Sequence, residues 1–271
     1  MPGKIGTLYG LSVGPGDPEL LTLKALRLLQ RAPVVTFPAG VGEKPGMAER
    51  IIAPWVQPHQ QQVPIPFPYV HDRDQLHTAW QRAATTVWPY LQQGQDVVFA
   101  CEGDISFYST FTYLAHALRQ LPEVLALDPQ TIAIVAVPGV CSPMAAASSV
   151  GLPLTMAEQR LLVLPALYAI ADLETALSQA DVIVLLKVSS VYGQVWSILQ
   201  RHNLLAHSAV IVRATSSEQQ IYTDLRPYPH LQLPYFSLLI IWRSRVDALD
   251  GLSSGSTQAI AARDSAGYLR P

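Results

Sequence analysis

The sequence predicts an α/β protein of two domains, an N-terminal one on a mostly parallel sheet and a C-terminal one on a mixed sheet, and three observations carry that prediction. The chain has 271 residues, of which 49% are apolar and only 14% charged, enough length and hydrophobic material for two domains of ordinary size. Through the first half, short apolar runs alternate with loops and helical segments, the rhythm of a parallel sheet covered on both faces. The stretch Gly151-Leu152-Pro153-Leu154 then breaks that rhythm, and helices are predicted after only the first two of the five apolar runs beyond it. The predicted division is therefore 1–154, 155–243, and a Ser-, Gly- and Ala-rich tail over 244–271, read as flexible because it lacks apolar periodicity.

Taken in order, GTLYGLSV is the first strand. After it Asp17 has the character of an N-cap with Pro18 at the first helical position, and Leu21, Ala25, Leu28 and Leu29 follow at helical spacing. Val34 to Phe37 and Asp96 to Cys101 are the next two strands, the latter running through EGDISFYS into the helical FTYLAHALRQL. Thr131 to Val137 is the fourth, followed by PGVCSP and the helical MAAASSV. The second-half strands are RLLVLP, DVIVLLKV, AVIVRA, QIYTDL and YFSLLIIWR. The proline-rich segment from Val63 to Asp72 reads either as the wall or lid of a site or as a surface connector.

Composition excludes several classes of function. No apolar run reaches the ~18 residues that spanning a bilayer requires, and the first ten residues pass into a strand rather than forming a secretion signal, so a soluble, cytoplasmic protein is expected. Formal net charge is −2, without a basic stripe, so no nucleic-acid partner is expected. Cys101 and Cys141 stand apart in no CxxC pair and read as reduced thiols, and the scattered histidines have no ligand spacing, so no protein-bound metal is expected. The loop after the first strand does not meet the dinucleotide fingerprint, because the third glycine position holds Glu19 and the second strand is followed by no acid.

Loops at the carboxyl ends of parallel strands share one edge of a sheet, where ligands bind. Three should converge here: Gly14 to Asp17, Glu102 to Ser106, and Pro138 to Ser142. Gly14, Pro15 and Gly16 form either a tight turn or a bare backbone that a flat ligand approaches. GPGDPELLTLKA, CEGDISFYSTFTYL, VPGVCSPMAAAS and PYFSLLI, in this order and spacing, resemble the tetrapyrrole (corrin and porphyrin) methylase family from about Thr7 to Arg243. The first motif marks only the superfamily, whereas E-G-D continuing into S-F-Y-S, V-P-G-V-x-S and P-Y-F-S-L are more specific to its C20 branch.

The resemblance implies a homodimer of two-domain α/β subunits, S-adenosylmethionine held between the domains, and a tetrapyrrole substrate above it. It implies C-methylation of precorrin-2 or cobalt-precorrin-2 at C20, with two alternatives: methylation at another tetrapyrrole position, or a non-catalytic tetrapyrrole carrier. Carried over residue by residue, the cofactor positions are Pro15, Glu102, Gly103, Asp104, Cys141, Ser142, Lys187, Ala214, Thr215 and Ser237, and the substrate positions are Gly14, Pro15, Gly16 and Asp17. Asp104 is the first candidate to orient the cofactor or ease proton loss from the methylated carbon, with capping of the helix starting near Ser109 or acceptance of backbone amides as its alternative; Glu102 is second. Tyr108 is a candidate donor to the substrate, with packing against Phe107 and Phe111 as its alternative. Lys4, Lys44, Arg50 and Arg73 are candidates to meet the substrate carboxylates. The sequence departs from the family pattern in two places: Ile105 stands where proline is expected after E-G-D, and Ser189 and Ser190 stand where a glycine is expected after Lys187-Val188.

Overall fold

Ten short strands make two five-stranded sheets in the computed structural model of the chain, which describes residues 4–40, 42, 44–68, 72–127, 132–165 and 170–243. The first sheet contains β1 (Leu8–Ser12), β2 (Val34–Pro38), β3 (Gln61–Ile65), β4 (Val97–Cys101) and β5 (Ile134–Val137), in the order β3-β2-β4-β1-β5. All its pairings are parallel. Central β4 is buried at every residue, as a strand covered on both faces must be. The edge strands are partly exposed, and Pro64 sits in edge strand β3, where a missing N–H is tolerated.

The helices of this part are α1 (Leu23–Arg31), α2 (Met47–Ile52), α3 (Arg73–Gln92), α4 (Phe111–Arg119), α5 (Pro122–Leu125) and α6 (Ser142–Ser149). Asp17 does cap, but only a 3-10 turn over Pro18–Leu20, by accepting the Glu19 N–H at 2.8 Å. Leu21 and Thr22 are then extended, and the Thr22 hydroxyl, accepting the Ala25 N–H at 3.2 Å, starts α1 at Leu23. Two caps in succession split what the apolar spacing reads as one helix. Asp72, at the end of the proline-rich segment, caps α3 by accepting the N–H groups of Asp74 and Gln75, and Val63 to Ile65 of the same segment belong to β3. Ala83, Ala84, Val87, Trp88 and Leu91 of α3 join Phe111, Leu114 and Leu118 of α4 over Leu8, Val34, Val97 and Phe99. Each side chain of Leu or Phe size buried there contributes about 1.5–3 kcal/mol.

The second sheet contains β6 (Leu161–Pro165), β7 (Val182–Leu186), β8 (Ser208–Val212), β9 (Gln220–Thr223) and β10 (Ser237–Trp242), in the order β6-β7-β10-β8-β9. β6 and β7 are parallel, while β10 runs antiparallel to both β7 and β8. Helix α7 (Leu173–Gln179) joins β6 to β7 and α8 (Tyr192–Arg201) joins β7 to β8, so helices follow the two strands after which they are predicted. Leu173 and Leu177 of α7 and Val195 and Leu199 of α8 pack with Ile183, Leu185, Val210, Leu239 and Ile241 of the sheet.

The chain divides into two compact units. The first runs to Ala146 and also takes in Arg213–Gln220, while the second runs over Ala147–Val212 and resumes at Ile221. A single cut after Leu154 differs from this division, because the segment after β8 belongs with residues two hundred positions earlier, roughly, and no contiguous division expresses that. The predicted tail over 244–271, Thr131, and residues 69–71 of the proline-rich segment lie outside the described residues.

Candidate functional site

Strand order β4-β1-β5 puts the segments following these three parallel strands side by side. Gly14 and Gly103 form an isolated antiparallel bridge, the N–H of each donating to the carbonyl of the other at 3.3 and 2.7 Å. Both have positive φ, +81° and +74°, which glycine alone adopts without a Cβ penalty. The loops predicted to converge from Gly14, Glu102 and Pro138 do so.

Asp104 ties them together. One carboxylate oxygen accepts the Ser106 N–H at 2.8 Å and the Ser106 hydroxyl at 2.5 Å. The other accepts the Gly139 N–H at 2.7 Å, with the Ser12 hydroxyl at 3.5 Å. The residue is only 9% exposed. Burial pushes its pKa up, but the hydrogen bonds from the Ser106 hydroxyl, the Gly139 amide and the Ser106 amide outweigh burial and hold the carboxyl below its ordinary 3.8. Of the two alternatives for Asp104, it accepts backbone amides, those of Ser106 and Gly139, and does not cap α4, at whose start the Ser109 hydroxyl accepts the Phe111 N–H at 3.0 Å.

The first loop meets the segment after β8 within the same unit. A Cβ on Gly16 would lie 2.5 Å from the Ala214 carbonyl oxygen and 2.6 Å from the Ser216 nitrogen. The Asp17 N–H donates to the Thr215 hydroxyl at 3.1 Å, and the Thr215 N–H to the Gln219 side-chain carbonyl at 2.6 Å. The bare backbone at Gly16 is thus occupied by the chain itself, whereas of the loop glycines Gly14, Gly16, Gly103 and Gly139 it is Gly103 that opens on empty space, with no atom within 4 Å of its Cβ position. Four sequence-selected residues, Gly16, Asp17, Ala214 and Thr215, are brought together here.

The other selected residues fall as follows. Pro15 is buried, Glu102 is half-buried, and Tyr108 is 54% exposed with φ +54°, its ring edge-on to Phe107 at 4.9 Å. The half-buried Cys141 precedes α6, whose first residue is Ser142, and its thiol donates to the Met144 sulfur at 3.0 Å. In the second unit Lys187 follows β7 with φ +57°, its ammonium 5.6 Å from the Tyr235 ring centre. Ser237 opens β10 opposite Val212 and donates to the Pro234 carbonyl at 2.7 Å. Tyr108, Lys187, Arg213 and Thr215 all hold left-handed φ without being glycine, at a cost of roughly 1–2 kcal/mol each, and such strain gathers at functional loops. After Lys187-Val188, the serines at the expected glycine position form a 3-10 turn.

The candidate cations separate. Lys4 precedes β1, at the opposite end of the strand from the loop cluster, so it is removed from the set. Arg50 pairs with Glu218 at 2.6 Å, and Arg213 pairs with the same carboxylate; Lys44 and Arg73 are exposed. Sequence reasoning missed Ser12, Ser106 and Gly139. The signal for Ser12 was present, as a hydroxyl residue inside an otherwise apolar strand. Among the described residues no group of three or more His, Cys, Asp or Glu side chains could hold a metal ion, and no helix is long and apolar enough to cross a membrane.

The two thiols differ in accessibility. Burial, with a contribution from the Glu102 charge, pushes Cys101 up to about 12; burial and the Asp104 carboxylate also raise Cys141. The thiolate is the reactive species. Iodoacetamide at about pH 8 is therefore expected to modify Cys141 slowly and Cys101 only on unfolding, as read by peptide mass mapping; native-state labelling of Cys101 ahead of Cys141 would contradict the packing of β4.

A family model for Tetrapyrrole (Corrin/Porphyrin) Methylases matches residues 7–227. The chain is 31% identical over 256 residues to the cobalamin biosynthesis protein CobIJ of Mycobacterium tuberculosis, covering 90% of this chain and 47% of that protein, so it spans about half the relative's length. It is 29% identical over 237 residues to the cobalt-precorrin-2 C(20)-methyltransferase of Salmonella typhimurium, covering 87% of this chain and 96% of the relative. Among solved structures it resembles in fold the uroporphyrin-III C-methyl transferase from Thermus thermophilus complexed with S-adenyl homocysteine, with a TM-score of 0.58, 22% identity, and coverage of 87% of this chain and 97% of that one.

Proposed function

The chain belongs to the tetrapyrrole methylase family, and from that premise we propose that it transfers a methyl group from S-adenosylmethionine to C20 of precorrin-2 or its cobalt-containing form. The observation that carries this reading is the loop cluster around Asp104, where the E-G-D and V-P-G segments are locked to one another while Gly103 leaves its backbone bare to empty space. The residues present fit the cofactor. Glu102 is half-buried, and the low pKa of Asp104 keeps it anionic, giving the loop a charge that suits a sulfonium. C20 specificity is supported by the motif combination and by the relative of matching length named for that reaction.

S-adenosylmethionine supplies an electrophilic methyl on a sulfonium whose departure leaves a neutral thioether. The chain must then supply alignment, which effective molarities value at about 7–11 kcal/mol. Pro15, Glu102, Gly103, Cys141, Ser142, Ala214 and Thr215 are the residues proposed to line the cofactor, and the resemblance proposes the same role for Lys187 and Ser237. Gly14, Pro15, Gly16 and Asp17 are proposed to border the tetrapyrrole, with Tyr108 as an exposed donor. We assign Asp104 to positioning, because its oxygens are taken up by internal donors and a base works best with a pKa near the working pH. Glu102 remains the candidate to receive the proton that leaves the methylated carbon. The active form is proposed to be a homodimer.

The test is anaerobic incubation of the purified chain with methyl-labelled S-adenosylmethionine and precorrin-2 or cobalt-precorrin-2, followed by mass spectrometry and carbon NMR. One added methyl at C20 is expected. Methylation at another carbon would retain the family chemistry and overturn the position, while binding of the ring without the methyl donor would favour the carrier alternative.

A further inference from the structure

We propose that Ser12 is a positioning residue whose hydroxyl sets the shape of the Glu102–Ser106 loop by supplying the acceptor for the Ile105 N–H. Ser12 is the last residue of β1 and is completely buried. Its hydroxyl oxygen accepts the Ile105 N–H at 2.7 Å and its proton goes to the Val137 carbonyl at 2.7 Å. One side chain therefore joins the ends of β1 and β5 to the loop that follows β4, and the Asp104 carboxylate lies 3.5 Å away.

Proline at 105 would have its φ held near −65° and no N–H to satisfy. Isoleucine brings neither advantage: its backbone is free to turn, and its N–H, buried with a side chain only 3% exposed in the first core, needs an acceptor. Ser12 is that acceptor. Gly139 completes the fit, since a Cβ there would lie 2.5 Å from the Ser12 Cβ, so the serine side chain and the Gly139 amide reach Asp104 only because position 139 carries no side chain. What the shaped loop holds rests on the reading given under Proposed function; the shaping itself does not.

The experiment uses the full chain without ligand. Ser12→Ala is expected to accelerate amide hydrogen exchange over residues 102–106 by roughly tenfold, the effect of one orphaned buried amide, while exchange over β10 is unchanged. S-adenosylhomocysteine, titrated calorimetrically, should bind roughly tenfold more weakly. The double variant Ser12→Ala/Ile105→Pro should recover slow exchange in the loop, because proline removes the orphaned donor and stiffens the same bond. Unchanged exchange in Ser12→Ala, or a double variant more labile than the single one, overturns the proposal. Should Ser12→Ala fail to fold, Ile105→Pro in the Ser12 background reads the same point: slow exchange at the remaining loop amides supports it and a large acceleration overturns it. The expected exchange pattern in a protein that does not bind S-adenosylhomocysteine would support the role of Ser12 and remove the cofactor assignment.

Discussion

Asp104→Asn is expected to lower stability by about 2–3 kcal/mol and to weaken S-adenosylhomocysteine binding by at least about tenfold, although the substitution is nearly isosteric. The asparagine carbonyl can replace only one of the two accepting oxygens; its NH2 group then faces either the Ser106 donors or the Gly139 N–H. A buried donor left without an acceptor costs about 1–3 kcal/mol. Scanning calorimetry and titration calorimetry measure the two effects. A residue acting only as a base would give the opposite pattern, with turnover lost and both stability and binding preserved, and that result would overturn the positioning role.

The pH dependence follows from the same contacts. The folded pKa of Asp104 is lowered from its ordinary 3.8, so the unfolded chain takes up the proton first as pH falls. The stabilisation from the ionised carboxylate is therefore complete above about pH 4 and is lost below it, as pH drops through the folded value. The stability gap between the wild type and Asp104→Asn should be flat from neutrality to about that pH and narrow only in more acid solution.

How legible the molecule is in its sequence depends on which interactions make each part. β4, and β10 after its opening Ser237, are continuous apolar runs buried at every position, and they were readable because burial on both faces leaves a composition signal. Helix α3 was not, although it is the longest helix described, because its contact face is carried by Ala79, Ala83 and Ala84 as much as by Val87, Trp88 and Leu91, and Pro89 near its end reads as a breaker. The convergence of the three loops was readable from the alternation that predicts a parallel sheet, which sets all three at one edge. The latch inside them was readable only as the general alternative that Asp104 accepts backbone amides, since a carboxylate in E-G-D gives no sign that its partners are the Gly139 amide and Ser106. The return of Arg213–Gln220 to the first unit was equally hidden, because the close approach of Gly16, one backbone-to-hydroxyl bond and the Arg50–Glu218 ion pair leave no apolar pattern in the sequence.

That return is what Gly16→Ala should undo. The added methyl would lie 2.5 Å from the Ala214 carbonyl oxygen, 2.6 Å from the Ser216 nitrogen and 2.9 Å from the Ser216 Cβ; two of these atoms are backbone and cannot rotate away. The segment is also poorly placed to yield, as Arg213 and Thr215 already hold left-handed φ and Thr215 is tied to Asp17 and Gln219. Overpacking of this kind costs about 1–3 kcal/mol, and moving the segment also puts the Asp17–Thr215 hydrogen bond at risk, worth about 0.5–1.5 kcal/mol. If Ala214 and Thr215 border the adenosine, affinity for S-adenosylhomocysteine falls with the displacement, by roughly tenfold for each 1.4 kcal/mol lost at the site. Gly193→Ala is the matched control: it adds the same methyl in α8, where nothing lies within 4 Å, and replacing glycine by alanine within a helix is favourable by up to about 1 kcal/mol. A fall in stability and affinity confined to Gly16→Ala assigns the glycine to the chain's own close approach. Equal behaviour of the two variants would mean that the segment after β8 yields freely, and that Gly16 is kept for the turn alone.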